Sequence, residues 1–416
     1  MHILVLADRF TPEVTAVSVR THAHAKVWLT LGHEVTVVTS APNFPRGEVF
    51  GGYENKLYQE EFIDGIRVIR IGTYMSANEG MLKRSFDYLS FMFSAILQCG
   101  RFPNYDVMIA TSPPIFVAMA GSVIGWLKRK PWVFEVRDLW PASIAAVGAS
   151  QSPLLKFVEK YELFLYRSAA RVIVLTHSFK RDLSKRGIDP QKVFVVTNGI
   201  EVDKFQRPDN VAKARQDIGV GPDKFLVGYL GTTGMAHGLE TLLEAADLCR
   251  DDPRIRFLIM GEGAKRAELE AKAAEMKLDN LYFKNFVPHD QVVLYLSALD
   301  MSIVHLIPDP VFKTVIPSKI FEAMALGVPS IHAVEGESAD IVAKAGAGVC
   351  VPSGDAQAIA EQVRRFSKDP DALRAMGQAG QQVARTQYDR SVLARDIIDV
   401  LEPIVRCSGE QEFGTK

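Results

Sequence analysis

Short, uniformly apolar runs alternate with helical stretches along almost the whole chain, and that alternation limits the fold more than any single motif. The first run, HILVLA at 2–7, shows none of the apolar–polar alternation of a strand with one wet face. It reads as a strand buried on both sides, as in a parallel sheet. Similar runs follow at 33–39, 66–71, 106–110, 132–136, 171–176 and 193–197, with helical patterns between them. Parallel strands need crossovers long enough for a helix, and these spacings provide them. A polar stretch at 201–223, punctuated by Pro208, Asn210, Gly219, Gly221 and Pro222, interrupts the series. A second series then runs through 225–230, 255–260, 281–283, 301–305, 330–333 and 348–351. The expected fold class is therefore α/β, with two doubly wound parallel sheets in two domains and a cleft between them. The expected division is 1–200 with a C-terminal helix at about 388–406, then 201–387, then a tail at 407–416.

Composition excludes several alternatives. A formal net charge of -1 on 416 residues leaves no basic footprint for nucleic acid. Cys99, Cys249, Cys350 and Cys407 are widely separated and form no CxxC, so neither a zinc site nor a disulfide framework is indicated. No apolar run is long enough to span a bilayer. The first residues lead straight into a strand without a basic leader segment, so a cytoplasmic location is expected.

The stretch PSKIFEAMALGVP at 317–329 carries a start signal in Pro317 and Ser318 and a stop in Gly327 and Pro329. A helix beginning there presents free N–H groups and a positive dipole end, and Lys319 and Ile320 lie in its first turn. That arrangement suits a diphosphate. Glu322, one turn on, is placed to accept hydrogen bonds from two adjacent sugar hydroxyls.

Other candidates lie just after strands. The loop Gly231, Thr232, Thr233, Gly234, Met235, Ala236, His237, Gly238 follows a strand and opens a helix, so its N–H groups suit phosphate. Gly261, Glu262 and Gly263 either border a nucleotide base or simply make a turn. Lys313 and Lys319 are the cations expected to offset charge on a departing diphosphate. In the first half, Thr11 and Glu13 follow the first strand, and Arg137 and Asp138 lead the stretch RDLWP at 137–141; both loops are acceptor-side candidates. Asp138 either contacts or deprotonates a hydroxyl, or pairs with Arg137 or caps a helix. Loops 42–46 and 111–114 lie on the same rim. Residues 81–98 form a helix whose stripe Phe86, Leu89, Met92, Phe93, Ile96 and Leu97 leaves Tyr88 and Phe91 off it. With Lys83 and Arg84 at its start, it is either an interfacial membrane contact or a packed helix with a wide buried face.

The segments PSKIFEAMALGVPS, YLGTTGMAHGLETLLEA and VFVVTNGIEVDKF and the opening TPEVTAVSVRTHAHAKVWLTLGHEVTVVTSAPNFPRGEVFGGY together resemble family 4 of the retaining glycosyltransferases. More narrowly they resemble the bacterial branch that holds N-acetyl-L-fucosaminyl transferases of O-antigen and capsule assembly. The resemblance implies the GT-B fold, a UDP-sugar held mainly by the second domain and an acceptor held by the first. It also implies retention of anomeric configuration with no metal or other cofactor, and a polyprenyl-diphosphate-linked saccharide as acceptor at the inner face of the membrane. The last helix, 391–405, is expected to return to the first domain. Many members carry two glutamates seven residues apart; Glu322 matches the second, while Thr314 stands at the first. The usual Arg and Lys of the glycine loop are replaced by Thr232 and His237, which leaves more of the diphosphate charge to Lys319. The expected catalytic residues are Lys319, Asp138 and Glu13. Two other readings are a sugar-nucleotide 2-epimerase of the same fold and an inactive, regulatory relative.

Overall fold

A computed structural model describes residues 1–76, 81–139 and 153–413. Trp140 and Pro141 of the RDLWP stretch lie outside the described residues. The chain divides into two compact units, Met1–Asn198 with Arg390–Lys416, and Gly199–Asp389.

In the first unit eight strands form one sheet: β1 (His2–Leu6), β2 (Glu34–Ser40), β3 (Tyr58–Ile63), β4 (Ile66–Ile71), β5 (Val107–Ser112), β6 (Trp132–Val136), β7 (Arg171–Val174) and β8 (Val193–Val195). Their spatial order is β3-β4-β2-β1-β5-β6-β7-β8. All neighbouring pairs are parallel except β3 with β4, which make an antiparallel edge hairpin. The fully apolar runs sit where the sequence reading requires: Ile3, Leu4, Val5 and Leu6 are buried on both faces of the central strand. One face carries the helices Met81–Gln98, Ile115–Lys128 and Pro153–Ser168; the other carries Ala16–Thr30 and the last helix.

Three features depart from the sequence reading. The strand β3, with its half-exposed pattern, was not anticipated; it turns into β4 through Asp64 and Gly65, whose positive φ values of 50° and 82° suit a two-residue hairpin. The first helix starts at Ala16, although the helical pattern of the sequence is plain only over 22–31, because the Thr15 side chain caps it by accepting from Ser18 N. The last helix extends over Arg390–Phe413, with Pro403 inside it, rather than stopping near 405. It belongs to the first unit: Leu393, Ile397 and Leu401 pack with Ile3, Val5 and Trp28, and Trp28 Nε1 donates to Ala394 O at 2.9 Å.

The helix Met81–Gln98 also divides its apolar residues differently. Phe91, Met92 and Ala95 enter the core, whereas Phe86, Phe93 and Leu97 are exposed. The single stripe is thus two faces, with Phe91 on the inner one. Among the described residues no helix is long and apolar enough to cross a membrane.

The second unit holds six parallel strands: β9 (Phe225–Leu230), β10 (Ile255–Met260), β11 (Leu281–Lys284), β12 (Met301–His305), β13 (Ser330–Ala333) and β14 (Gly348–Cys350). Their order is β11-β10-β9-β12-β13-β14. The chain therefore winds outward from β9 in one direction and then from β12 in the other. Ligands of such sheets bind where that reversal opens the carboxyl ends of the strands.

Candidate active site

In the second unit the reversal point lies between β9 and β12, and three loops meet there. The loop after β9 begins at Gly231, whose φ of 144° no ordinary residue tolerates. Gly261, at the end of β10, packs backbone to backbone against it: a Cβ on Gly261 would lie 2.0 Å from Gly231 O. Gly263 is pressed in the same way against Thr233, whose N–H donates to Glu262 O at 2.9 Å. The glycines at 261 and 263 thus allow two loops to approach closely, and they hold Gly231, Thr232, Thr233 and Gly234 in place.

The third contributor is the helix Lys319–Leu326, ended by Gly327 in the left-handed region at φ 68°. Ser318 precedes it in helical geometry and its side chain makes no capping bond, contrary to the start signal read from the sequence. Phe321 N and Glu322 N already donate to Ser318 O at 3.0 and 3.3 Å, so what this end offers an anion is its positive dipole and the N–H groups ahead of Ile320. Ile320 offers the site little: its side chain is fully buried in the core and its N–H donates to Pro317 O at 3.2 Å.

Lys319 lies across the glycine loop. Its Nζ sits 3.8 Å from the centre of the Tyr229 ring, and a Cβ on Gly231 would come within 2.2 Å of that same nitrogen. Tyr229 is fixed in turn, since its hydroxyl donates to Thr232 O at 2.8 Å. A cation over an aromatic face is stabilised by the ring quadrupole, which partly replaces the water lost on burial. Burial still pushes the Lys319 ammonium down to about 8, opposed by the nearby Glu322 carboxylate. His237 stands edge-on to the same ring, 5.7 Å away, and burial, Lys319 and His305 together push it down to about 4. It is therefore a neutral ring near pH 7. Thr233 Oγ1 and His237 Nδ1 are buried with no hydrogen-bond partner among the described residues. The arrangement offers a concentrated positive charge, helix N–H groups and idle buried polar atoms, a combination that stabilises an added anion.

Lys313 and Thr314 lie in the short turn Pro310–Thr314. Lys313 is half-exposed and pairs with Glu335 at 2.6 Å, and the Thr314 hydroxyl donates to Val311 O at 2.9 Å. Lys313 borders a hollow of about 210 Å³ together with Asp309, Phe312, Glu335 and Ser353.

In the first unit the strand order reverses between β1 and β5. Glu13 lies there, but as a clasp: its Oε1 accepts from Asn43 N at 2.9 Å, Phe44 N at 2.8 Å and Arg9 Nη1 at 3.3 Å. Its side chain is completely buried. Its Oε1 thus holds the two loops together, while Oε2 stays buried with no partner among the described residues. Thr11 contributes its carbonyl oxygen, which accepts from Arg70 Nη2 at 2.7 Å. Arg137 is largely buried beside Glu135 and Asp8, with burial lowering its pKa and its Nε without a partner among the described residues. Asp138 is exposed on the rim.

Sequence reasoning missed the residues that organise this edge. Arg9 bonds Asn43 Oδ1 at 2.7 Å and Asp87 Oδ2 at 3.1 Å, and so ties the loop after β1 to the helix Met81–Gln98. Arg20 donates to Glu135 Oε1 at 3.0 Å and to Thr197 O at 2.7 Å. Asp8 is pushed up to about 6, chiefly by burial. Buried charges in an otherwise apolar strand-and-helix pattern were the available signal.

Two α/β sheets, each with a strand-order reversal and one of them with a glycine loop at that point, have the architecture of GT-B glycosyltransferases. Residues 15–199 match the family model described as Glycosyl transferase 4-like domain, and residues 210–383 match Glycosyl transferases group 1. The chain is thus a glycosyltransferase, with a 4-like domain in its first half and a group 1 domain in its second. It is 26% identical over 346 residues to the colanic acid biosynthesis glycosyl transferase WcaI, so named in Escherichia coli (strain K12), covering 80% of this chain and 84% of that one. Among solved structures, sucrose-phosphate synthase from Thermosynechococcus elongatus superposes with a TM-score of 0.75 at 18% identity, covering 98% of this chain and 99% of that one. Anabaena Alr3699/HepE in complex with UDP superposes with a TM-score of 0.71 at 18% identity, covering 97% and 100%.

Proposed function

We propose that this glycosyltransferase moves a sugar from a UDP-sugar to a saccharide acceptor during assembly of a bacterial surface polysaccharide. The observation that carries the reading is Lys319, a buried cation laid across a glycine loop at a strand-order reversal, with Glu322 one turn further along the same helix. The name of WcaI supports the polysaccharide setting, and the UDP held by HepE supports the donor class.

In the proposed reaction the bond between the anomeric carbon and the diphosphate oxygen breaks. The acceptor hydroxyl oxygen bonds to that carbon on the same face, and its proton passes to the departing diphosphate. The protein's part is charge stabilisation and positioning, without a protein nucleophile and without a metal. Lys319 and the N–H groups at the start of its helix take up the charge left on the diphosphate, and Glu322 accepts from the ribose hydroxyls. Asp138 and Arg137, on the rim of the first unit, meet the acceptor. That acceptor is a polyprenyl-diphosphate-linked saccharide, presented at the inner face of the membrane. N-acetyl-L-fucosamine is the proposed sugar, from the branch resemblance.

The test is thermal stability with UDP, GDP, dTDP, ADP and NAD. A nucleotide at 100 times its dissociation constant stabilises the fold by about 2.7 kcal/mol. A rise in Tm selective for UDP, abolished in Glu322→Ala, is the expected outcome; equal responses to all five, or none, would sink the reading.

A further inference from the structure

His305 ends β12, the strand beside β9 at the reversal point, and its ring is buried at 2% exposure. Both ring nitrogens are engaged. Nδ1 lies 2.6 Å from the carbonyl oxygen of His237, and Nε2 lies 3.1 Å from the backbone nitrogen of Gly354. A carbonyl can only accept and an amide can only donate, so the proton belongs on Nδ1 and Nε2 must be bare. One side chain thus joins the far end of the glycine loop to the turn after β14. The neighbouring main chain reinforces the join: Ile307 N donates to Ala236 O at 2.9 Å. Gly238 turns in the left-handed region at φ 54°, where a Cβ would lie 2.8 Å from Ile307 Cγ2 and 3.2 Å from His305 Cε1. The loop is closed down onto this ring.

We infer that His305 is a positioning residue of the donor site: its Nδ1–H tautomer fixes the His237–Gly238 end of the phosphate-facing loop, so a nucleoside diphosphate sugar binds tightly only while both hydrogen bonds stand. The inference rests on the donor reading of that loop. It deepens that reading by naming what shapes the loop from behind. A second proton on the ring would aim N–H at the N–H of Gly354 and break that tie. The groups that bear on the ring are Glu240 on the following helix, which favours the charged form, and the His237 carbonyl, which does the same through its bond; burial opposes both and lowers the pKa. From the helix Lys319–Leu326, Lys319 acts on the neighbouring His237. From the turn after β14, Asp355 is occupied in capping Ala358 N at 2.8 Å.

The probe is UDP-glucose, whose diphosphate diester has no group titrating between pH 4.5 and 8. Its dissociation constant is measured by calorimetry across that range for wild type, His305→Asn and His305→Phe. His305→Phe removes both bonds and is expected to weaken binding about tenfold or more at pH 8. His305→Asn keeps a donor and an acceptor but cannot gain a proton, so it binds within about threefold of wild type at pH 8. Wild-type affinity falls on the acid side, and His305→Asn lacks that fall. Should His305→Phe fail to fold, the comparison of pH profiles between wild type and His305→Asn decides alone. Wild-type binding that is flat with pH, an acid fall shared by His305→Asn, or undiminished binding by a folded His305→Phe overturns the assignment. Absence of wild-type binding at every pH is a different result: it removes the donor reading itself, and this inference with it.

Discussion

The two units repeat one strand plan and finish it with opposite chemistry. At the β9/β12 reversal the edge is made of glycine backbone, a helix end and an ammonium whose nearest partner is an aromatic face. At the β1/β5 reversal it is made of side chains already bonded to one another: Arg9 to Asn43 and Asp87, Glu13 to two N–H groups, Arg20 to Glu135. The first arrangement leaves Thr233 Oγ1 and His237 Nδ1 without partners among the described residues, while the second commits most of its polar atoms to holding loops. A glycine loop can lie against phosphate because it has no side chains to displace. A loop without that restriction has to be pinned by buried pairs, each of which costs desolvation.

This contrast can be broken most forcefully on the first unit. Arg9→Met leaves Asp87 and Glu13 buried without their cation and is expected to cost about 3–5 kcal/mol of stability. Chemical denaturation reads it directly, and a loss under about 1 kcal/mol would mean the network is ornamental. On the second unit the change is functional instead. Lys319→Met is expected to lower kcat/KM by roughly 100-fold, the scale of losing a preorganised charge in a transition state, with the denaturation midpoint little changed. The same lysine predicts a pH dependence. Burial lowers its pKa to about 8, so the free protein holds the cation below that pH and loses it above. Affinity for UDP-glucose is therefore expected to fall roughly tenfold per unit above pH 8, and to stay level in Lys319→Met; matching profiles would remove Lys319 from the diphosphate. The smallest effect belongs to the outer face of the helix Met81–Gln98. Phe93→Ser with Leu97→Ser should change stability by no more than about 0.5 kcal/mol, as both side chains are exposed. Co-sedimentation with anionic vesicles checks whether that face meets a membrane: binding by wild type that the double variant loses supports it, and equal binding does not.

What the sequence disclosed divides along the same line. Strands buried on both faces announce themselves, because every residue must be apolar, and the helix at 319–326 carries its own end signal in Gly327. Backbone devices are likewise local, so the glycine loop was legible. Residues acting across distance were not. Tyr229 reads as one more apolar residue of β9, and only the fold brings Lys319 over its ring. His305 and Gly354 lie 49 residues apart, and Arg9 and Asp87 lie 78 apart, so no spacing rule links either pair. Glu13 was legible as a loop carboxylate, but its bonds to Asn43 N and Phe44 N, 30 and 31 residues away, were not. The hairpin of β3 and β4 escaped because an edge strand needs no continuous apolar run.

The return of the last helix to the first unit has a consequence for how the gene product can be cut and recombined. The second unit, Gly199–Asp389, is covalently an insert, entered and left once. Its two ends adjoin: Ile200 N donates to Tyr388 O at 2.9 Å and Val202 N to Asp389 Oδ2 at 3.1 Å. An insert whose termini touch can be lifted out as one cassette, closed by a short linker, or exchanged for the matching segment of a relative through two neighbouring splice points. Whatever the second unit recognises is then a transplantable property.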